Sequence, residues 1–402
     1  MKFLLLEAPK KFFALLFAAL APSEAYDWPR WRGPDGTGVI PDDEYNLKAL
    51  ASGPKIRWKA SLGVGHSSVA IVGMNLYTMG NQGGQDIVYC FEFETGKEVW
   101  RHSYPCPPGD YSGPRASAVV DDGLVYTLSQ QGQAFCLDAE TGKVTWQKDL
   151  IKEFGAQNIQ WGMAGSPLVV GDVVIYNACS SGLALNKKSG EKVWASPSGK
   201  GGYASPVFFK YQGKSCVAIF GAKELAVVDY ATGKSIYTFP WETKYDVNAA
   251  DPVYFDGKIL LSSGYDRGCV LLGLSSGKAK PLWENKNLNA HFASPIFFKG
   301  AIYGVDGQTG QGQLVCLDPA TGKVLWAQKG KQENFMIAGG RILAIDKAGV
   351  LSVCDAVPSG YKELARGTVL SAKAKNWTAP VLSSSLVYCR NSEGELVCVD
   401  LR

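Results

Sequence analysis

Three histidines in 402 residues are too few for a His-rich metal site. None of the ten cysteines forms a Cys-x-x-Cys pair or joins a Cys/His cluster, so zinc-finger spacing, a thioredoxin-type redox pair and covalent haem attachment are excluded. Missing too are a Gly-x-Ser-x-Gly elbow and a Gly-rich phosphate loop followed by Lys. Charge of one sign is also scarce: 41 Lys and Arg face 37 Asp and Glu, a formal charge of +4 spread along the chain, which gives no footprint for nucleic acid or an anionic membrane. Long apolar runs are confined to residues 12–21, about half of the roughly 20 residues a spanning helix needs.

That short run has the features of an export signal. Lys10 and Lys11 precede it, and small residues at Ser23 and Ala25 suit signal peptidase, so cleavage is expected after Ala25. No cysteine stands at the cleavage point, which argues against lipid attachment. The expected product is a periplasmic or secreted protein with no transmembrane segment, a signal peptide at 1–25, a lead-in segment at 26–54 and the remaining chain at 55–402.

What the sequence has in abundance is glycine (46), proline (20) and apolar residues (46%), material for a large core cut by many turns. The cuts recur. Glu94-Thr95-Gly96-Lys97-Glu98-Val99-Trp100, Glu140-Thr141-Gly142-Lys143-Val144-Thr145-Trp146 and Ala320-Thr321-Gly322-Lys323-Val324-Leu325-Trp326 are copies of one turn-and-Trp unit. Gly96, Gly142, Gly190, Gly233, Gly277, Gly322 and Gly360 follow one another at intervals of 46, 48, 43, 44, 45 and 38 residues, the period of a propeller blade.

Each unit opens near a Ser-Pro-like start, as at Ser166-Pro167, Ser205-Pro206, Ser294-Pro295 and Ala379-Pro380. Three apolar runs follow, the third ending in Cys-Leu-Asp, and a fourth run carries the Trp. Four short strands per unit make one antiparallel blade. Gly in the turn accepts a positive φ, and the Asp two residues after the Cys can accept backbone amides of that turn. Eight inner-strand starts, near His66, Arg115, Ala164, Ala204, Ala249, Phe292, Asn334 and Trp377, meet only seven turn glycines. The last unit ends at Arg402 without a fourth strand, while an orphan strand around Trp58 precedes the first. The expected fold is therefore all-β: an eight-bladed propeller of four-stranded antiparallel blades, closed by the N-terminal strand joining the last blade.

In this register Cys90, Cys136, Cys316 and Cys354 each lie six residues before a repeat glycine, and Ala184, Val227 and Leu271 hold the same column. A column that alternates Cys with apolar residues is a core position, so these read as buried free thiols. Cys389 and Cys398 flank a hairpin turn and form the one disulfide candidate.

The copies of Cys136-Leu137-Asp138-Ala139-Glu140-Thr141-Gly142-Lys143-Val144-Thr145-Trp146 resemble the Trp-docking motif of PQQ-like, quinoprotein-type propeller repeats, over essentially all of 55–402. Asp27-Trp28-Pro29-Arg30-Trp31-Arg32-Gly33-Pro34-Asp35-Gly36-Thr37-Gly38 resembles the lead-in of exported bacterial members of the same superfamily. The resemblance implies one of two activities: a PQQ-dependent alcohol or sugar dehydrogenase, or a non-catalytic binding protein of the BamB-like kind. The motif residues build blade contacts, so they specify fold more than function.

A quinoprotein site needs a quinone on an aromatic floor, calcium held by oxygens and a carboxylate base. The lean repeats leave little room for such insertions, and Asp246, Asp251 and Asp266 read better as turn or strand-end caps than as catalytic carboxylates. No catalytic residue is assigned. The positions that stand out are the inner-strand starts: His66, Arg115, Trp161, Tyr203, Asn248, His291, Asn334, Asn376 and Trp377 form a polar and aromatic rim at the channel mouth. Such a rim suits a small ligand, a carbohydrate or an extended peptide. Trp28, Trp31, Arg30 and Arg32 read as a strap packed back on the ring. The sequence thus favours an exported, monomeric, non-catalytic binding or scaffold protein with no resident cofactor and with an envelope protein, peptide or carbohydrate as partner. The alternative is a small PQQ-dependent alcohol or sugar dehydrogenase using PQQ with calcium.

Overall fold

The computed structural model describes residues 27–402 except 42–43, 112 and 276–277. The proposed signal segment 1–25 and the turn glycine Gly277 lie outside the described residues.

Each repeat folds as a four-stranded antiparallel sheet in which sequence neighbours pair. The first blade comprises Ala70–Val72, Asn75–Gln82, Gln85–Glu92 and Glu98–Pro105. Its third strand is buried along almost its whole length, whereas its outer strand alternates, with Trp100 and Tyr104 turned inward. Blades stack face to face, so the middle strands have a neighbour on both sides and read as continuous apolar runs. The core accordingly lies in layers between blades: one joins Tyr77, Trp100 and Phe135 of the first two, another Tyr126, Trp146 and Tyr176 of the next two.

Among the described residues eight such blades are present. The outer strand of the sixth and the inner strand of the seventh are one continuous strand, Val324–Ala338, which fuses two blades into a single sheet. The eighth is built from both ends of the chain. Lys55–Ser61 pairs antiparallel with Glu395–Asp400, beginning with Lys55 opposite Asp400 and ending with Ser61 opposite Glu395, so no blade edge is left between the termini.

The repeat glycines have two reasons to be glycine. Gly142 has φ +69°, and a Cβ placed there would sit 2.6 Å from the ring of Trp100 in the preceding blade. That Trp donates its Nε1 to the Ala139 carbonyl at 2.9 Å. Trp58, Trp146, Trp194, Trp283 and Trp326 make the same link to Phe93, Lys187, Tyr230, Pro319 and Val357. The aspartates after the Cys column cap these turns: Asp138 accepts the Thr141 amide at 2.8 Å, and Asp229 accepts those of Ala231 and Thr232.

All ten cysteines are free and buried. The candidate pair at the last hairpin does not bond, because Cys389 lies opposite Val397 while Cys398 lies opposite Tyr388. Neighbouring pairs in a ladder point to opposite faces, so the two thiols are on different sides of the sheet.

The lead-in segment straps across the ring. Trp28 bridges Ile71 of the first blade, the Arg32 guanidinium donates to the Pro295 carbonyl of the sixth at 2.6 Å, and Val39–Ile40 pairs with Ile337–Ala338 of the seventh. The helix Leu47–Ala51 then covers the outer strand of the seventh blade, where Ala365 stands in the Trp column; Leu50 is fully buried there, its carbonyl 2.7 Å from where a Cβ on Gly367 would stand.

Candidate functional site at the channel mouth

The Ser-Pro starts are stitched to one another around the channel. The Ser68 amide donates to Ser117 Oγ, Ser117 to Ser166 Oγ and Ser166 to Ser205 Oγ, at 2.9, 2.9 and 3.0 Å. In the fifth blade the column holds Asp251, whose Oδ1 accepts the Ser205 amide at 2.7 Å while its own amide donates to Ser294 Oγ at 2.8 Å. The reason for the exchange is the strap. Asp251 Oδ2 accepts Trp31 Nε1 at 2.7 Å and lies 3.9 Å from Arg32, both charged side chains being buried.

Above this seam lies a bowl of about 470 Å³ to which the start of every inner strand contributes a residue, with Trp31 and Asp251 at its lining. His66, Arg115, Trp161, Tyr203, His291, Asn334 and Trp377 all line it. Asn248 and Asn376 do not. Both are fully buried and staple loops: Asn248 Nδ2 donates to the carbonyls of Gly221, Ala222 and Trp241, and Asn376 Nδ2 to those of Asp346 and Lys347. The other two carboxylates considered lie apart from the bowl lining. Asp266 pairs with Lys286 at the surface at 2.6 Å, and Asp246 closes a short 3-10 turn.

A closed circuit of rings runs around the bowl, all of them lining it except Tyr245. Tyr111 touches Trp161 with centroids 6.5 Å apart, Trp161 touches Tyr245 at 6.0 Å, and Tyr245 touches Tyr265 at 5.7 Å. Tyr265 meets His291 at 5.1 Å, His291 stacks on Phe292, Phe292 meets Trp377 at 4.9 Å, and Trp377 returns to Tyr111 at 6.0 Å. His66 stacks on Trp377 at 4.8 Å. Three of these residues, Tyr111, Tyr245 and Tyr265, come from loops that no repeat column marks. Each has a left-handed backbone, with φ of 55°, 65° and 57°.

The electrostatics of the bowl are lopsided. Burial, with Arg390, Arg115 and Lys375 nearby, pushes the His66 imidazole down to about 3, so it is neutral. Burial also lowers His291, to about 4. Glu333 is 4% exposed and burial pushes its carboxyl up to about 7, with Lys347 opposing. Lys375 lies over the rings of Tyr111 and Trp377 at 4.4 and 4.7 Å. Lys347, Lys375 and Glu333 were not legible as site residues, because none opens an inner strand with a ring or amide.

Fold and site together define a propeller of the PQQ-like repeat class with a ligand-sized bowl at one end of a strapped channel. A family profile described as outer membrane protein assembly factor BamB matches residues 84–328, and the chain belongs to that family. It is 23% identical over 355 residues to the outer membrane protein assembly factor BamB of Yersinia pestis, covering 84% of this chain and 76% of the relative. The crystal structure of BamB from Moraxella catarrhalis superposes with TM-score 0.63 at 18% identity, over 87% of this chain and 98% of that one. Quinohemoprotein alcohol dehydrogenase from Comamonas testosteroni superposes with TM-score 0.72 at 14% identity, over 95% and 81% of the two chains, a likeness of fold.

The resemblance to quinoprotein-type repeats implies PQQ with calcium, and the residues present do not fit that pair. Calcium takes six to eight oxygens with carboxylates among them. Among the described residues no three His, Cys, Asp or Glu side chains come together. Of the two carboxylates in the bowl, Asp251 is held by Trp31, Ser205 and Arg32, and Glu333 has the Gly310 backbone and Lys347 beside it. No oxidation step is derived.

Proposed function

We propose that this chain is an exported, non-catalytic binding protein of the cell envelope that holds its ligand in the channel-mouth bowl. The observation that carries the reading is the bowl itself: eight inner-strand starts, with the rings of Tyr111, Trp161, Tyr265, Phe292 and Trp377, surround a space of about 470 Å³, within the range of ligand pockets. Of its two lining carboxylates, Asp251 is held by Trp31 and the strap, which leaves Glu333, raised by burial to about 7, without a second free carboxylate as an acid–base partner. The BamB relatives carry the name of an envelope assembly factor, and residues 1–25 have the pattern of a cleaved signal, which together support the location. No helix among the described residues is long and apolar enough to cross a membrane.

The test compares immobilised protein with its Trp377→Ala variant for material retained from an envelope extract. Dye-linked oxidation of alcohols and sugars is assayed in parallel with added PQQ and calcium. Retention that depends on Trp377, without turnover, is expected. Retention indifferent to Trp377 overturns the site, and PQQ-dependent turnover overturns the non-catalytic reading.

A further inference from the structure

Positive charge in and behind the bowl is left without an ion pair; Arg390 is not among the lining residues and lies behind His66. Arg390 is 1% exposed, and its guanidinium donates to the carbonyls of Gly65, Ser67 and Met79 at 3.0, 2.8 and 2.6 Å. Arg115 donates to the carbonyls of Trp161, Asp110 and Tyr111. Among the described residues no carboxylate lies within ion-pair distance of Arg115, Arg390, Lys347 or Lys375, in contrast to Arg32 with Asp251. The acid whose field reaches Arg115 is Asp86, itself buried and held by Asn81. Arg115, part-buried and given only carbonyl acceptors, has lost part of its hydration without gaining a counter-charge. An anionic group on the ligand supplies that charge.

The shape of the wall selects what carries the anion. Neighbouring rings of the lining are turned by 86° at Tyr111–Trp161, 83° at Tyr265–His291 and 57° at Phe292–Trp377. Trp377 already has His66 stacked on it. Where rings are near-parallel, as His291 on Phe292 and His66 on Trp377, they are stacked on each other, and the rest make a curved wall, which suits a puckered ring with C–H faces better than a flat aromatic. Polar groups stand ready for hydroxyls: Glu333 Oε2 and His291 Nε2, in side chains 4% and 9% exposed, have no hydrogen-bond partner among the described residues. Tyr111 and Tyr265, both lining the bowl, have left-handed backbones, and strain of this kind collects where a site must be held in shape.

We propose that the bowl binds an acidic saccharide, its ring against the aromatic wall and its carboxylate or phosphate toward Arg115 and Lys375. The proposal rests on the bowl being the ligand site. Calorimetric titration of the purified protein with D-glucuronate, D-glucose 6-phosphate, D-glucose, benzoate and inorganic phosphate tests it. At least one acidic sugar is expected to bind tenfold or more tightly than glucose, benzoate or phosphate, and which of the two does so identifies the anion as carboxylate or phosphate. Lys375→Glu, at an exposed position, is expected to weaken that binding tenfold or more with no change in melting temperature. Absent or equal binding of acidic and neutral sugar, tighter binding of benzoate or free phosphate, or indifference to Lys375→Glu overturns the proposal. If acidic sugars fail while retention from the extract still depends on Trp377, this inference falls alone; if retention ignores Trp377, the reading beneath it falls.

Discussion

Trp58 Nε1 donates to the carbonyl of Phe93 at 3.0 Å, and the Trp58 ring lies against Gly96, so a strand that completes the last blade docks on the first. The contact is the same one that joins the earlier blades through Trp100 and Trp146. The chain runs on from Trp58 into the first blade, so ring closure rests on the pairing of Lys55–Ser61 with Glu395–Asp400 inside the eighth blade, and the eighth blade then meets the first by the ordinary blade-to-blade contact. Trp58→Ala is expected to cost about 3–5 kcal/mol, as for other buried Trp truncations. Urea unfolding checks it, and Trp146→Ala should lose a comparable amount.

Asp251 and Arg32 form a second seam, between the strap and the fifth blade. Asp251→Ser restores the column residue of the neighbouring blades but leaves Arg32 buried without a carboxylate, a change of about 3–5 kcal/mol for breaking a buried pair. Arg32→Met together with Asp251→Ser is expected to recover most of that loss. Denaturation midpoints of the two single variants and the double variant form the cycle that measures the coupling.

Glu333 makes stability fall with rising pH. Its folded carboxyl is raised from an ordinary 4.5 to about 7 by burial, with Lys347 opposing and Asp346 reinforcing the rise. Between those values the native state keeps a proton that the unfolded chain has released, so raising the pH draws the equilibrium toward unfolding until the folded group also ionises. The contribution is fully present below pH 4.5 and lost above about 7. At 1.36 kcal/mol per pH unit the loss is roughly 3 kcal/mol. Glu333→Gln is expected to remove this dependence and to be more stable than the parent at pH 8, as denaturant titrations at pH 5 and 8 will show.

Much of the architecture was legible because a repeat writes the same physics several times. The turn glycines, the capping aspartates and the stray strand at Trp58 each gained force from copies elsewhere, and the strand pairs as its missing partner required. Asn248 and Asn376 were misplaced by the same logic: each stands near an inner-strand start, but an amide carrying two donors is more useful there closing loop carbonyls than facing the channel. Tyr111, Tyr245 and Tyr265 lie in loops that differ from blade to blade, so no column marks them, and their approach depends on tertiary geometry alone. The Ser-to-Asp exchange at Asp251 was the visible signal of the strap contact, since Ser-Pro becomes Asp-Pro only where Trp31 and Arg32 arrive.

The measurement closest to the central claim is amide hydrogen–deuterium exchange of the protein alone and loaded with the material it retains from an envelope extract. A ligand held at the channel mouth is expected to slow exchange in 109–115, 243–249, 264–267 and 374–378, leaving the outer strands of the blades unchanged. Protection on the outer strands or the strap, with none in those four segments, would contradict the account.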